Sequence, residues 1–168
     1  MSKRPLVVGV MGGGSATPEA LEKAYRLGRL IADEGWILLN GGRNAGIMDA
    51  SAKGAREAGG LTVGILPDES DTGVSEHILI PVFTGMGNAR NCINVLSSHV
   101  VVACAGGAGT LSEIALALKT GKPVILLDFD VLDFFEPHSH PETLFPAAEP
   151  EQVIRIIKER LFPRGPAI

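Results

Sequence analysis

The sequence predicts an α/β protein with a Rossmann-like, doubly wound parallel sheet in three layers, α/β/α. Short runs rich in Val, Ile and Leu, typical of strands buried on both faces, alternate with helical patterns of about ten to seventeen residues. Glycine clusters at 12–14, 41–42 and 106–109 each follow such a run. The length of 168 residues and the hydrophobic content of 45% suit one core, so we expect a single domain over residues 1–168.

The first strand–helix unit shows the pattern most clearly. Residues 6–11, LVVGVM, form a nearly continuous apolar run that ends in three glycines. Thr17 then supplies an N-cap and Pro18 suits the first helical position, while Gly35 is placed to end the helix. This segment is therefore predicted to be a strand, a glycine turn and a helix.

The same pattern repeats along the chain. Further strands are predicted over residues 36–39, 61–66, 78–83, 99–104 and 123–128. Further helices are predicted over 45–58, 88–98, from about 111 to Gly121, and over 149–161. In the helix over 88–98, Cys92, Ile93 and Leu96 are expected on one side. In such a sheet the ligand lies outside the carboxyl ends of the strands, so the glycine clusters should converge on one crevice.

The charge and the cysteines exclude several classes of protein. Fifteen Lys and Arg against nineteen Asp and Glu give a net charge of -4, which argues against nucleic acid or anionic membrane as partners. Cys92 and Cys104 match neither a zinc spacing nor a disulfide framework. The chain has neither a secretory leader pattern nor a long apolar run, and we expect a cytoplasmic protein that acts on a small molecule.

The segment CAGGAGTLSE, residues 104–113, predicts a phosphate site. Gly106, Gly107 and Gly109 lack Cβ atoms, so backbone N–H groups at a helix N-terminus can approach an anion. Thr110 adds a hydroxyl, and Glu113 lies one turn further on. The alternative is a tight turn in which the glutamate only complements the helix dipole. A Walker lysine and a ribose-binding acid near the second strand are both missing, which argues against ATP hydrolysis and NAD chemistry.

Two other segments complete the predicted site. The candidate binding residues of the first two glycine turns are Gly12, Gly13, Gly41, Gly42, Arg43 and Asn44. Arg90 lies at a helix start, where it opposes the macrodipole, so anion binding explains it better than a structural role, although a solvated arginine is the alternative. The acidic loop over 67–77 is a candidate lid.

The segment DFFEPHSHPE was considered as a metal site and set aside. Asp133, Glu136, His138 and His140 lie between prolines in what the sequence predicts to be an irregular loop, so we expect no metal. The two phenylalanines, 134 and 135, are expected to hold this loop down or to form part of a dimer contact.

Two motifs resemble a known family. GGRNAGIMDAS and AGGAGTLSE are similar to the signatures GGGxxGLMG and PGGxGTxxE of the Lonely Guy family and of its relatives, the molybdenum-cofactor carrier proteins. The resemblance covers about three quarters of the chain, from Leu6 to Asp128. It implies a Rossmann-like fold, commonly a homodimer, that binds a phosphorylated ligand at the glycine turn. We expect a homodimer or a higher homo-oligomer that requires no cofactor.

The resemblance also implies functional residues. Arg90 matches the arginine of the Lonely Guy motif MHxRK, and Glu113 matches the glutamate that ends the second signature. In Lonely Guy enzymes these are catalytic in the hydrolysis of a cytokinin nucleoside 5′-monophosphate to free base and ribose 5-phosphate. A chain of this type is expected to bind either molybdopterin, as molybdenum cofactor, or a nucleoside monophosphate.

The departures from the motifs favour the carrier branch. Ala105 replaces the proline of the second signature, Arg43 replaces a glycine of the first, and Asn91 replaces the lysine after the catalytic arginine. The segments GIMDASAKGA, TGMGNARN and GTLSEIALALKTGKPVI resemble the carrier proteins more closely. We therefore expect a binding protein for a phosphorylated pterin. The alternatives are a nucleoside 5′-monophosphate phosphoribohydrolase and, in third place, a nucleotide-sensing module.

Overall fold

The computed structural model describes residues 4–163 and contains one sheet of seven parallel strands. The strands are β1 (Val7–Met11), β2 (Ile37–Asn40), β3 (Thr62–Leu66), β4 (Ile80–Phe83), β5 (Val100–Ala103), β6 (Val124–Leu127) and β7 (Leu144–Ala147). The helices are α1 (Pro18–Asp33), α2 (Gly46–Glu57), α3 (Arg90–Ser97), α4 (Ala108–Lys119), α5 (Leu132–Phe135) and α6 (Pro150–Ile156). The predicted fold class is confirmed.

Helices cover both faces of the sheet. On one face the strands pack against α1, α2 and α6, in a core that includes Val8, Leu27 and Ile125. On the other face they pack against α3, α4 and α5, with Val101 and Ile114 at the centre. Because both faces are covered, the central strands β5 and β6 are buried at every position, which explains their continuous apolar sequences.

The strand order places a ligand crevice next to β1. The order along the sheet is β4-β3-β2-β1-β5-β6-β7, so the chain reverses its direction of winding between β1 and β5. At such a switch point the connections leave on opposite faces and open a cleft at the carboxyl ends of the strands. The glycine turns after β1 and after β5 therefore lie side by side at this cleft.

Individual residues determine where α1 begins and ends and how closely it packs against α2. The hydroxyl of Thr17 accepts a hydrogen bond from the amide of Ala20 at 3.2 Å, and Gly35 ends the turn after α1 with φ of +70°. The helices α1 and α2 can approach closely because Gly28 has no side chain; a Cβ at this position would collide with the Ser51 carbonyl oxygen. This close contact with α1 holds α2 in position.

The region after β6 differs from the prediction. Residues 133–142 were expected to form an irregular loop, but α5 and a short 3₁₀ turn at Glu136–His138 occupy residues 132–138. The edge strand β7, which the sequence did not predict, follows them. The prolines in this region obscured the pattern, since Pro146 lies within β7 and an edge position tolerates it. Phe135 is buried as expected, whereas Phe134 is exposed.

Helix α3 also differs from the prediction. Its buried residues are Asn94 and Val95, while Cys92 and Leu96 are exposed. The apolar periodicity therefore identified the helix but not the face that it buries. The face that turns inward carries a polar side chain, which becomes important at the site.

Candidate ligand-binding site

A pocket of about 240 Å³ lies at the carboxyl ends of β1, β2 and β5. It is lined by Val10, Met11, Gly12, Gly13, Gly14, Gly41, Met48, Asn88, Arg90, Asn91, Gly107, Gly109, Thr110 and Glu113. Eight of the twelve predicted site residues are among them. Among the described residues that line the pocket, Arg90 and Glu113 are the charged ones.

The N-terminus of α4 forms one wall of this pocket. Gly107 is its N-cap residue, in extended backbone conformation, and no side chain of the described residues caps the helix. The first N–H groups of a helix have no partners within the helix and carry partial positive charge. A Cβ on Gly107 or Gly109 would meet no atom within 4 Å, so the approach to these amides is open. This geometry suits a phosphate group.

At other glycines of the site, neighbouring protein atoms fill the space where a Cβ would lie. A Cβ on Gly12 would lie 2.6 Å from the side chain of Ile47, and one on Gly13 would lie 2.9 Å from the carbonyl oxygen of Ser15. A Cβ on Gly106 would collide with the Thr110 hydroxyl. These glycines bring the turns after β1 and β5 together, as the hydrogen bond from the Gly13 amide to the Ala105 carbonyl at 3.0 Å shows.

Arg90 enters the pocket from the first residue of α3. Its guanidinium lies against Gly41, where a Cβ would collide with Nη1 and lie 2.8 Å from Nη2. Burial lowers the pKa of Arg90, and the nearby Glu113 carboxylate acts in the opposite direction. The side chain remains protonated, since an arginine starts from a very high pKa. Gly41 therefore makes room for the cation that lines the pocket.

Glu113 lies on α4, one turn beyond the open amides, and is 6% exposed. Its Oε1 accepts a hydrogen bond of 2.7 Å from Nδ2 of Asn94 on α3. Burial raises the pKa of Glu113, while the Asn94 hydrogen bond and the charge of Arg90 act in the opposite direction. A buried carboxylate with a raised pKa is a feature of functional sites.

Four predicted residues lie outside the pocket lining: Gly42, Arg43, Asn44 and Gly106. The Arg43 guanidinium pairs with the loop after β3, with Nη2 2.7 Å from Oδ2 of Asp68. The amide of Asn44 donates to the Gly73 carbonyl at 2.9 Å, and the amide of Ser75 donates to the Gly42 carbonyl at 2.9 Å. The turn after β2 therefore holds the loop over 67–77 in place. Arg43 does not line the pocket, and its role as a donor to the ligand stays a prediction.

Sequence reasoning missed part of the lining. Met48, Asn88 and Asn91 were not proposed as site residues, although the last two flank the predicted Arg90. Asn91 donates from Nδ2 to the Ser112 hydroxyl at 3.0 Å, which ties α3 to α4. The missed signal was the density of amide side chains in the segment GNARNCIN.

Within residues 4–163 no three His, Cys, Asp or Glu side chains are grouped as a metal site. His138 and His140, which the sequence analysis weighed for this role, are exposed. Across the same residues, no helix has the length and apolar character that a bilayer crossing needs.

The fold and the pocket together define a Rossmann-like protein with a glycine-lined pocket, which holds Arg90 and Glu113, at its topological switch point. The chain belongs to the SLOG cluster4 family, whose model matches residues 5–154. The resemblance to the Lonely Guy superfamily is confirmed by this match.

Solved structures agree with this assignment. The molybdenum cofactor binding protein from Rippkaea orientalis is 52% identical, with a TM-score of 0.87 over 94% of this chain and 98% of that one. The molybdenum cofactor carrier protein from Chlamydomonas reinhardtii is 44% identical, with a TM-score of 0.87 over 93% of this chain and 98% of that one.

One curated relative is named as an enzyme. The cytokinin riboside 5′-monophosphate phosphoribohydrolase of Mycobacterium tuberculosis is 33% identical over 122 residues. The match covers 66% of this chain and 63% of that protein, so it spans less than two thirds of the relative.

Proposed function

We propose that this protein binds the molybdenum cofactor, as a carrier, by the phosphate group of its pterin. The observation that supports this most is the convergence of the open amides at Gly107 and Gly109 with the guanidinium of Arg90 on one pocket. Helix amides and an arginine together match the geometry and charge of a phosphate. The similarity to a molybdenum cofactor binding protein of 52% identity supports the choice of cargo.

The polar side chains that line the pocket suit the pterin ring. Glu113 presents a buried carboxylate, and Asn88 and Asn91 add amide side chains that both donate and accept hydrogen bonds. A pterin carries N–H donors and ring-nitrogen and carbonyl acceptors, which such groups can satisfy. The phosphate and the ring would thus both be held within this pocket, and neither contact requires a chemical step.

The second candidate function is hydrolysis of a nucleoside 5′-monophosphate at its N-glycosidic bond. It is favoured by the placement of Arg90 and Glu113, the two residues matched to the Lonely Guy motifs, in one pocket. With the phosphate at the α4 amides fixing the ribose, Glu113 would stabilise oxocarbenium-like charge or orient a water molecule. One observation argues against it. Glycosidic cleavage ordinarily uses two carboxyl groups, and Glu113 is the single carboxylate among the described lining residues.

We also propose that the protein is a homodimer. Large apolar side chains are exposed along the edge strand β4 and its flanks: Leu79, Ile80, Val82, Phe83 and Met86. An apolar edge strand left open to water favours association with another chain. Light scattering after size exclusion tests this, with a mass of twice the 17.6 kDa of the chain expected. A cytoplasmic location and independence of any required cofactor stay predictions.

Two incubations separate the proposed functions. In the first, purified protein is mixed with AMP and related monophosphates, and free base is measured by chromatography. In the second, anaerobic molybdenum cofactor is added, and the pterin retained after gel filtration is quantified. Arg90→Ala is the test variant, and Arg155→Ala, on the exposed side of α6, is the matched control.

The carrier proposal expects retained pterin and no free base, with retention lost in Arg90→Ala and kept in Arg155→Ala. Base release that disappears in Arg90→Ala and in Glu113→Gln would establish the hydrolase and overturn the carrier proposal. Binding of nucleotides without base release and without pterin retention would favour a sensor.

A further inference from the structure

We propose that Asn94 is a positioning residue that fixes the Glu113 carboxylate in its ionised, hydrogen-bond-accepting form toward the pocket. The role of that carboxylate rests on the proposed function, but the hydrogen bond between the two residues does not. Asn94 was not among the residues that the sequence motifs identified.

The geometry places Asn94 beside Glu113 for a reason set by α3. Asn94 follows Arg90 by four positions, so the two side chains share one face of the helix. That face turns toward α4, where the amide of Asn94 donates to Oε1 of Glu113 at 2.7 Å. Helix α3 therefore delivers a cation to the pocket at its first residue and a neutral donor one turn later.

Both partners of this hydrogen bond are withdrawn from water. Asn94 is fully buried, and Glu113 is 6% exposed. A hydrogen bond to a charged acceptor is about twice as strong as a neutral one, and it gains further in a dry environment. An ionised Glu113 is largely cut off from the hydrogen bonds of water, so the one from Asn94 contributes substantially to its stabilisation.

The other end of the same amide argues against a purely structural role. Oδ1 of Asn94 is buried and has no hydrogen-bond partner among the described residues. A buried acceptor without a partner is destabilising, and a leucine, which has the same branching and number of heavy atoms, would avoid it. The amide is therefore explained by what its Nδ2 does for Glu113, and not by core stability.

Few groups around Glu113 stabilise its ionised form. On α3, Arg90 and Asn94 both act to keep the carboxylate ionised, against the effect of burial. Arg43 and Asp68, from the turn after β2 and the loop beyond β3, act on Arg90 with opposite signs. Removing the Asn94 amide would leave Arg90 as the remaining stabilising charge.

Direct titration of Glu113 tests the proposal without any ligand. Protein labelled with ¹³C at the glutamate carboxyl carbon is titrated by NMR, and the Glu113 signal is assigned by its loss in Glu113→Gln. The titration midpoint is compared between the wild type and Asn94→Leu. Ser98→Ala is the matched control, because the Ser98 hydroxyl donates to the Asn94 backbone carbonyl at 2.7 Å and leaves its amide in place.

The expected result is an upward shift of the Glu113 midpoint by about one to two pH units in Asn94→Leu, and no shift in Ser98→Ala. Asn94→Asp should shift it upward as well, since two adjacent carboxyl groups cannot both ionise easily. Unchanged midpoints in folded Asn94→Leu or Asn94→Asp would overturn the proposal. A pocket that binds no phosphorylated ligand would instead refute the proposed function and leave this result intact.

Discussion

Gly41→Ala tests the contact that makes room for Arg90. The new Cβ would collide with Nη1 of Arg90, lie 2.8 Å from Nη2 and lie 2.7 Å from the sulfur of Met48. An ordinary contact between such atoms needs about 3.5 Å, so the guanidinium must retreat by about 1 Å. A misplacement of this size is enough to weaken a charge-assisted hydrogen bond to a phosphate.

The expected effect falls on binding and not on folding. Both crowded atoms lie at the ends of flexible side chains, and alanine lowers the entropy of the unfolded chain, so stability should change by less than about 1 kcal/mol. A hydrogen bond to a charged group is worth about 1.5–3 kcal/mol, which predicts a rise in Kd of about tenfold to a hundredfold. Anaerobic calorimetric titration with molybdenum cofactor measures the Kd.

A double-mutant cycle shows whether the effect passes through Arg90. If Gly41→Ala acts by displacing the guanidinium, it should add almost nothing in an Arg90→Ala background. Fully additive losses, or an unchanged Kd in Gly41→Ala with its fold intact, would refute the reasoning.

Three further predictions concern the same framework. Gly107→Ala should leave the melting temperature nearly unchanged, since its Cβ meets no atom within 4 Å, yet raise the Kd for molybdenum cofactor in the same titration because the methyl covers the α4 amides. Glu113→Gln should raise the melting temperature at pH 7, since burial raises the pKa of Glu113 and so makes its ionised form destabilising. That gain should vanish below the ordinary glutamate pKa of about 4.5, where the carboxyl is protonated in both states, and a gain independent of pH would contradict it. Gly28→Ala should destabilise the fold by about 1–3 kcal/mol in urea, because its Cβ meets the rigid Ser51 carbonyl; an unchanged midpoint would show that α1 and α2 can separate freely.

The fold was predictable because local patterns and topology agree. Apolar runs such as LVVGVM and VVACA suit strands covered on both faces, and the glycine turns that follow them mark their carboxyl ends. The edge strand β7 was missed because Pro146 lies within it and an edge strand lacks the continuous apolar sequence of a central strand.

The site was predictable only in outline. The sequence pointed to Arg90 because an arginine at a helix start lacks a local reason, and the structure brings it to the same pocket as Glu113. It gave no way to tell the open glycines, 107 and 109, from Gly41 and Gly106, whose missing Cβ atoms leave room for protein side chains. That difference depends on contacts between distant segments.

Asn94 shows why the remainder needs three dimensions. In the sequence it stands between Ile93 and Val95, where a polar residue ordinarily marks the exposed side of a helix. The partner that explains its burial, Glu113, lies nineteen positions away on another helix. The pairing follows from the way α3 and α4 lie against each other on the sheet.

The position of the phosphate tests the central claim most directly. A crystal structure of the protein with molybdenum cofactor would show where its phosphate binds. We expect the phosphate oxygens within hydrogen-bond distance of the backbone amides of Gly107 and Gly109, with the Arg90 guanidinium on the opposite side. A phosphate bound elsewhere, with the amides at the start of α4 left to water, would contradict the account.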